Sequence, residues 1–507
     1  MNRRFPIYAL VALVITAFAS ACDDNDDDDF VVDDSTENAL MVNSFALQKN
    51  DSILNNLDSV FFSIDLDRGV IFNADSLPKG TRTNRLVIDM TLSAVSKAEI
   101  TMPNDKGVDT VVNFLKNATD SINFSRGYVK LHLESANKEY QRDYTIYVNV
   151  HKVDPDLLTW NSLASTNLPT AFASADAQHT VEYQGNVLCF TRKGSDYNLA
   201  TTDDPSAGNW TNETVTLPAD ADLNTLTAGT STLYICDTTG NLHSSADGGK
   251  SWTATGAQMS HIYGTIEDQA VGVATINGKY THVTYPATTQ TVVGPDCPVS
   301  ATSPALVYTT EWSTEPMMIV AGGRTASNEL TDATWAYDGS QWVKISINGF
   351  GTQLEAPVVV PYFAFKTATN WTVTKRSILL AFNGLTDNGQ ANRKLYISYD
   401  RGVHWAEASD DLQLPASFQG GAYSQALVLN TRMSVNTASA ARWTGVESAS
   451  VAPWLRVVPA PLSRASTPIT EWDCPFIYVF GGETATGSLN TTLWRGVINR
   501  LEFKPLQ

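Results

Sequence analysis

The chain has 507 residues, room for roughly two to four domains of ordinary size or one large β-array with a smaller partner. Only 17% of it is charged against 43% hydrophobic, and Thr, Ser, Asn and Gly are abundant, which disfavours helical bundles and favours strands joined by turns. The formal net charge of −19 argues against nucleic-acid binding, because phosphate contacts need a basic face.

Residues 1–21 read as a targeting signal that takes no part in the fold. Arg3 and Arg4 form a basic start, Tyr8 to Phe18 an apolar run, and Ala19-Ser20-Ala21 a small-residue cleavage site directly before Cys22. Small residues abutting a single cysteine resemble the bacterial lipoprotein signal. That resemblance implies that Cys22 is lipidated and becomes the new N-terminus. No other stretch has the roughly 20 apolar residues needed to span a bilayer. An acidic run, DDNDDDD, follows at once and makes 22–38 an extended tether, since like charges repel. It lacks the Gly and the distal Glu of an EF-hand loop. Acidic residues directly after the lipid cysteine also resemble the surface-export signal of Bacteroidetes lipoproteins.

Across 39–154 the pattern has period two. In VKLHLES, Val129, Leu131 and Leu133 face one way and Lys130, His132 and Glu134 the other; Tyr144, Ile146, Val148 and Val150 repeat this in YTIYVNV. With turn signals such as Leu77-Pro78-Lys79-Gly80, these strands predict an antiparallel sandwich of immunoglobulin-like size. Asp154-Pro155-Asp156 punctuates the chain and marks the predicted boundary.

Residues 155–507 are repetitive. S-x-D-x-G-x-x-W occurs at Ser245, Asp247, Gly249 and Trp252 and again at Ser398, Asp400, Gly402 and Trp405. Ser and Asp can bond to turn backbone while Gly takes a positive φ, so each copy predicts a hairpin. The pattern resembles the Asp-box of sialidases and other β-propellers, where it sits on the blade rim away from the active site. A second repeat aligns Thr310-Glu311-Trp312, with Gly322-Gly323 ending the next apolar run, to Thr470-Glu471-Trp472 with Gly481-Gly482. Thr369-Asn370-Trp371 with Asn383-Gly384 is a weaker copy. A glycine pair ending an apolar run, then an aromatic strand, resembles a kelch repeat, and the tryptophan spacings fit one and two repeat lengths. A four-strand template then predicts blades at 170–213, 214–256, 257–300, 301–346, 347–410, 411–457 and 458–507, seven in all, with six as the alternative. TWNSL, Thr159 to Leu163, reads as an outer strand that closes the ring against the last blade.

Four further cysteines are far apart, with no CxxC and no paired His, so neither zinc nor another metal is expected, and no cofactor motif is present. Cys189 and Cys236 lie in apolar runs and read as buried; Cys297 and Cys474 share an Asp-Cys-Pro context, and an oxidising compartment permits a bridge between them. No GxSxG, HExxH, P-loop or dinucleotide fingerprint is found. The histidines, among them His179, His243, His261, His282 and His404, are dispersed and read as structural. Sialidase chemistry needs an arginine triad, a Tyr/Glu pair and an acid/base Asp. Arg192, Arg324, Arg376, Arg393, Arg442 and Arg464 are available, but the Phe-Arg-Ile-Pro stretch is absent, so no catalytic residue is assigned.

The layout resembles a family of Bacteroidetes surface lipoproteins with an Ig-like domain and an Asp-box/kelch-like propeller. It implies an all-β protein lipid-anchored in the outer membrane and facing the exterior, without implying an activity. The expected role is a non-catalytic binding module for a glycan or protein, with Glu311, Trp312, Trp371, Glu471 and Trp472 offering aromatic platforms and carboxylates at one funnel mouth. The alternatives are a glycoside-processing enzyme, hydrolase or lyase, and a structural subunit of a membrane complex.

Overall fold

The computed structural model describes residues 40–73, 75–93, 95–103, 109–152, 154–287, 289–309, 315–367, 373–434, 442–443, 461–462, 471–484, 486–498 and 501. In the N-terminal part a two-stranded pair, Val42–Leu47 with Ile88–Leu92, faces a six-stranded sheet. Both contribute to one core, in which Phe45, Leu47 and Ile88 meet Ile100, Val129, Leu131, Leu133 and Ile146. The period-two reading places the right side chains inside, because Val129, Leu131 and Leu133 are fully buried while their neighbours face outward. One departure from the expectation is that the arrangement is not purely antiparallel. Val70–Phe72 runs parallel to Gln141–Tyr147, because a long connection rather than a hairpin separates them.

From Leu158 onward the described strands form six sheets of four or five strands and one short two-stranded pair. Their innermost strands are Ala177–Tyr183, Ala221–Ala228, His261–Ile266, Leu306–Tyr308, Val358–Thr367 and Ala422–Ser434. Each inner strand touches the inner strand of the next sheet, and the last touches the first, so the six close a circle. Between every neighbouring pair of sheets lies a separate apolar core. Strand alternation feeds two of these at once. In Val358–Thr367, Val358, Val360 and Tyr362 face the sixth sheet while Val359 faces the fourth. Burial on both faces is why such strands read as continuous apolar runs, and each large side chain so buried contributes about 1.5–3 kcal/mol.

The predicted blades 411–457 and 458–507 are a single sheet. Ala422–Ser434 pairs along its whole length with Glu471–Glu483, which makes the second an immediate neighbour of the first rather than the middle of a new sheet. The template failed there because the Trp371 to Trp472 spacing fits two repeats but contains one repeat with a long insertion after its first strand. The expected ring closure is present: Leu158–Asn167 pairs with Thr492–Ile498 as the outermost strand of the sixth sheet. Closure from the opposite chain end removes a free edge.

The glycine pairs have a shared conformational cause. Gly322-Gly323, Asn383-Gly384 and Gly481-Gly482 all have positive φ at both positions, and Asn is the side chain that best tolerates that region, which explains the weaker copy. In each the second glycine carbonyl accepts from a later amide, Thr331, Asn392 or Asn490, at 3.0, 2.9 and 2.8 Å. The two S-x-D-x-G-x-x-W segments likewise adopt one turn between the third and fourth strands of their sheets. Ser245 Oγ donates to Asp247 Oδ1 at 2.8 Å and accepts the Gly249 amide at 2.9 Å; Ser398 does the same for Asp400 and Gly402 at 2.9 and 2.8 Å. The indoles then diverge, Trp252 donating to Gly249 O and Trp405 to Thr334 Oγ1 of the preceding sheet.

Cys189, Cys236 and Cys297 are buried free thiols and Cys474 a half-buried one, so the bridge between Cys297 and Cys474 that the compartment would permit is absent. Burial pushes the Cys297 thiol up to about 12.

Candidate functional site

The closed circle of inner strands leaves a cavity of about 360 Å³ on the axis, lined from all six sheets. That volume lies in the range of small-ligand sites. Its wall is largely aliphatic, through Val181, Leu226, Ile262, Val307 and Val358, interrupted by Thr and Ser hydroxyls and the Gln425 amide. Among the described residues no lysine or arginine lines it.

Two buried glutamines seal the wall where the first and sixth sheets meet. Gln425 Oε1 accepts from Gln178 Nε2 at 2.8 Å and from the Thr180 amide at 3.1 Å, and Gln178 Nε2 also donates to Thr180 Oγ1 at 2.5 Å. Alternation along Ala177–Tyr183 puts Gln178, Thr180 and Glu182 on one face. Glu182 is half-buried and lines the cavity without a partner among the described residues. Burial raises its carboxyl to about 8, with no neighbouring charge or donor to offset it.

Two histidines read as structural in the sequence also belong to this wall. His179 is buried and its Nδ1 has no partner; His261 Nε2 lies 3.1 Å from Thr302 Oγ1, with its ring edge-on to Tyr263. Burial lowers both to about 4, so both are neutral at physiological pH. Near one end of the axis, Tyr423 holds a left-handed backbone with φ 56, an uncommon conformation for a bulky side chain. Its hydroxyl donates to Glu355 Oε1 at 3.3 Å, and Glu355 Oε2 pairs with Arg324 at 2.5 Å. That pairing fixes Arg324 outside the cavity.

The site residues expected from sequence fall elsewhere. Glu311, Trp312 and Trp371 lie outside the described residues, as does Cys22. Glu471 and Trp472 open the second strand of the sixth sheet, their backbones registered with Ser434 and Met433, and their side chains lie outside the described part. Of the arginines named for a sialidase-like site, those with described side chains, Arg192, Arg324, Arg376 and Arg393, do not line the cavity. Among the described residues no cluster of three or more His, Cys, Asp or Glu side chains is arranged to hold a metal ion.

The axial site was missed because its residues are spread over six sheets and share no motif. One signal was available: Glu182 is the one acid inside HTVEYQGNVLCF, a β-prone run with no other carboxylate, lysine or arginine. A carboxylate at such a position is expensive to bury without a use or a partner.

Among curated proteins none matches the chain. Solved structures to which it is similar include YCF48 bound to D1 peptide, at 14% identity over 68% of this chain and 98% of that one with a TM-score of 0.29. A mitotic checkpoint complex matches at 8% identity over 59% and 80%, TM-score 0.29. BBS1N in complex with ARL6DN matches at 10% identity over 81% and 95%, TM-score 0.28. The DUF6242 beta propeller domain matches residues 154–506 and the DUF6242 N-terminal domain of unknown function residues 35–148. The chain therefore belongs to the DUF6242 family, and its circle of sheets is a β-propeller.

Proposed function

We propose that this protein is a non-catalytic binding module whose six-bladed propeller, carried on an Ig-like domain, receives a segment of a protein partner in the axial cavity. The observation that carries this reading is the cavity itself, enclosed by all six inner strands and mostly aliphatic, with hydroxyl and amide groups spaced along it. Among the described residues aromatic platforms of the kind that stack on sugars are few there, since Tyr263 and Tyr423 contribute the rings besides the two histidines. This favours a peptide over a glycan. The glycoside-processing reading gains no support, because its chemistry needs converging arginines and the described residues of the cavity wall include none. The sequence signals around Cys22 support a lipid-anchored, outward-facing location, with the acidic run as tether.

Panning a random-peptide library and a glycan array against the protein tests this reading. The expected result is peptide capture that Ala426→Phe, which adds bulk to the cavity wall, abolishes while leaving the circular dichroism spectrum unchanged. Peptides that bind this variant as well as the wild type would remove the cavity from the proposal. Glycan binding in place of peptide binding would overturn the ligand class.

A further inference from the structure

The cavity wall carries two carboxyl groups, Glu182 and Glu267, and among the described residues no lysine or arginine to match them. Glu182 projects from the first inner strand, half-buried, with no hydrogen bond or ion pair among the described residues. Close by on the same strand, His179 is buried with Nδ1 unpartnered. A carboxyl that lines a largely aliphatic cavity with no partner of its own is costly to leave so, and it points to a ligand that completes it. The remaining titratable groups on the wall are His261 and Tyr263 on the third inner strand, Glu267 just beyond it and Tyr423 on the sixth. The second, fourth and fifth inner strands contribute none. Among the described residues no side chain of the wall supplies a positive charge at neutral pH, because both histidines are held neutral by burial.

We infer that the axial cavity selects an aliphatic ammonium group, with the Glu182 carboxylate as its counter-ion and the aliphatic wall covering its methylene stem. This rests on the binding-module reading and names the chemistry of the ligand. An ammonium is a compact point charge whose three donors a carboxylate and neighbouring hydroxyls can satisfy, whereas a guanidinium is a rigid planar fork with a wider footprint. The empty cavity keeps Glu182 largely protonated near pH 7, since burial moves its ionisation to about 8. An entering ammonium, itself protonated below about pH 10, displaces that proton to solvent and leaves a carboxylate–ammonium pair. Binding therefore tightens as pH rises through the range in which Glu182 ionises.

The test is an NMR titration of the full chain with n-butylammonium chloride, with n-butanol as the neutral isostere, at pH 6 and pH 9. For an ionisation near 8, butylammonium affinity rises roughly 100-fold between these two pH values while butanol affinity stays flat. Glu182→Gln loses the ammonium preference and the pH dependence but still binds butanol, which shows that its cavity is intact. Butylammonium binding no tighter than butanol at pH 9, or equal in Glu182→Gln and wild type, overturns the inference. Peptide capture can survive that result, in which case the binding-module reading stands and this one falls. A second arm compares butylammonium with acetyl-Gly-Lys-Gly-amide at pH 9. Tighter binding of the peptide by tenfold or more assigns the ammonium to a lysine of a polypeptide, and equal affinity to a free amine; either outcome supports the inference.

Discussion

Replacing Gln425 with Leu tests the inner closure of the ring. Gln425 is 4% exposed and its Oε1 is the acceptor shared by the Thr180 amide and the Gln178 side chain. Leucine is close in volume, so the perturbation is the loss of that acceptor and of the Nε2 donor to the Tyr423 carbonyl. The Thr180 amide then has no acceptor of comparable geometry, and a buried unpaired N–H costs about 1–3 kcal/mol. Gln178 keeps its bond to Thr180 Oγ1 and loses one of two, worth about 0.5–1.5 kcal/mol. The expected destabilisation is about 2–4 kcal/mol, with a melting temperature lower by roughly 3–5 °C. All 12 tryptophans lie between Trp160 and Trp494, so tryptophan fluorescence during urea unfolding reports on the propeller alone. Adding Gln178→Leu should cost less than the sum of the single changes, with a coupling of about 0.5–1.5 kcal/mol. A Gln425→Leu midpoint within about 0.5 kcal/mol of wild type would refute the reasoning, because the first and last sheets would then be held without this clasp.

Other perturbations probe the sheets and their turns. Tyr362→Phe should destabilise by about 1–3 kcal/mol in the same urea assay, because the buried hydroxyl bridges the fifth and sixth sheets, donating to the carbonyls of Pro475 at 3.1 Å and Ile498 at 3.2 Å and accepting the Ile498 amide at 3.2 Å. Ser398→Ala should cost about 1–2 kcal/mol, since the fully buried hydroxyl both accepts the Gly402 amide and donates to Asp400. Asp247 gives a pH signature. The Ser251 hydroxyl and amide hold its carboxyl down to about 2 from an ordinary 3.8, so its stabilising effect is present above about pH 4 and is lost as pH falls toward 2. Asp247→Asn should be less stable than wild type at pH 6 and show a shallower loss across that window, read by thermal unfolding at half-unit pH steps.

Much of the architecture was legible because it depends on local chemistry. Positive-φ pairs demand Gly or Asn, so Gly322-Gly323, Asn383-Gly384 and Gly481-Gly482 announced the ends of the second strands before any coordinates were known. The Ser-Asp-Gly turns were readable because one side chain must satisfy several amides within a few residues, as Asp247 Oδ1 does for Lys250 and Ser251. Strand order became unreadable where the chain between paired strands is long. Nothing local in Ala422–Ser434 says that its partner lies beyond residue 470, since closing a longer loop costs little more than closing a short one.

The axial site shows a different limit. Its wall is a property of the circle, and each inner strand contributes side chains whose types are ordinary for a buried strand: HTVEY, HIYGT and YSQAL carry no common pattern. What distinguishes them is an inconsistency between a residue and its surroundings. Glu182 lies two residues from Thr180 on a strand otherwise paired and buried on both faces, where a carboxylate is costly unless something compensates it. His179 shows the same inconsistency more weakly, as a neutral ring with one nitrogen unserved. In a fold that buries both faces of its inner strands, an ionisable residue on an inner strand is therefore a more telling anomaly than a repeated turn motif. The rim motifs recur because every hairpin has the same backbone problem to solve, whereas an acid on the axis has no hairpin to serve.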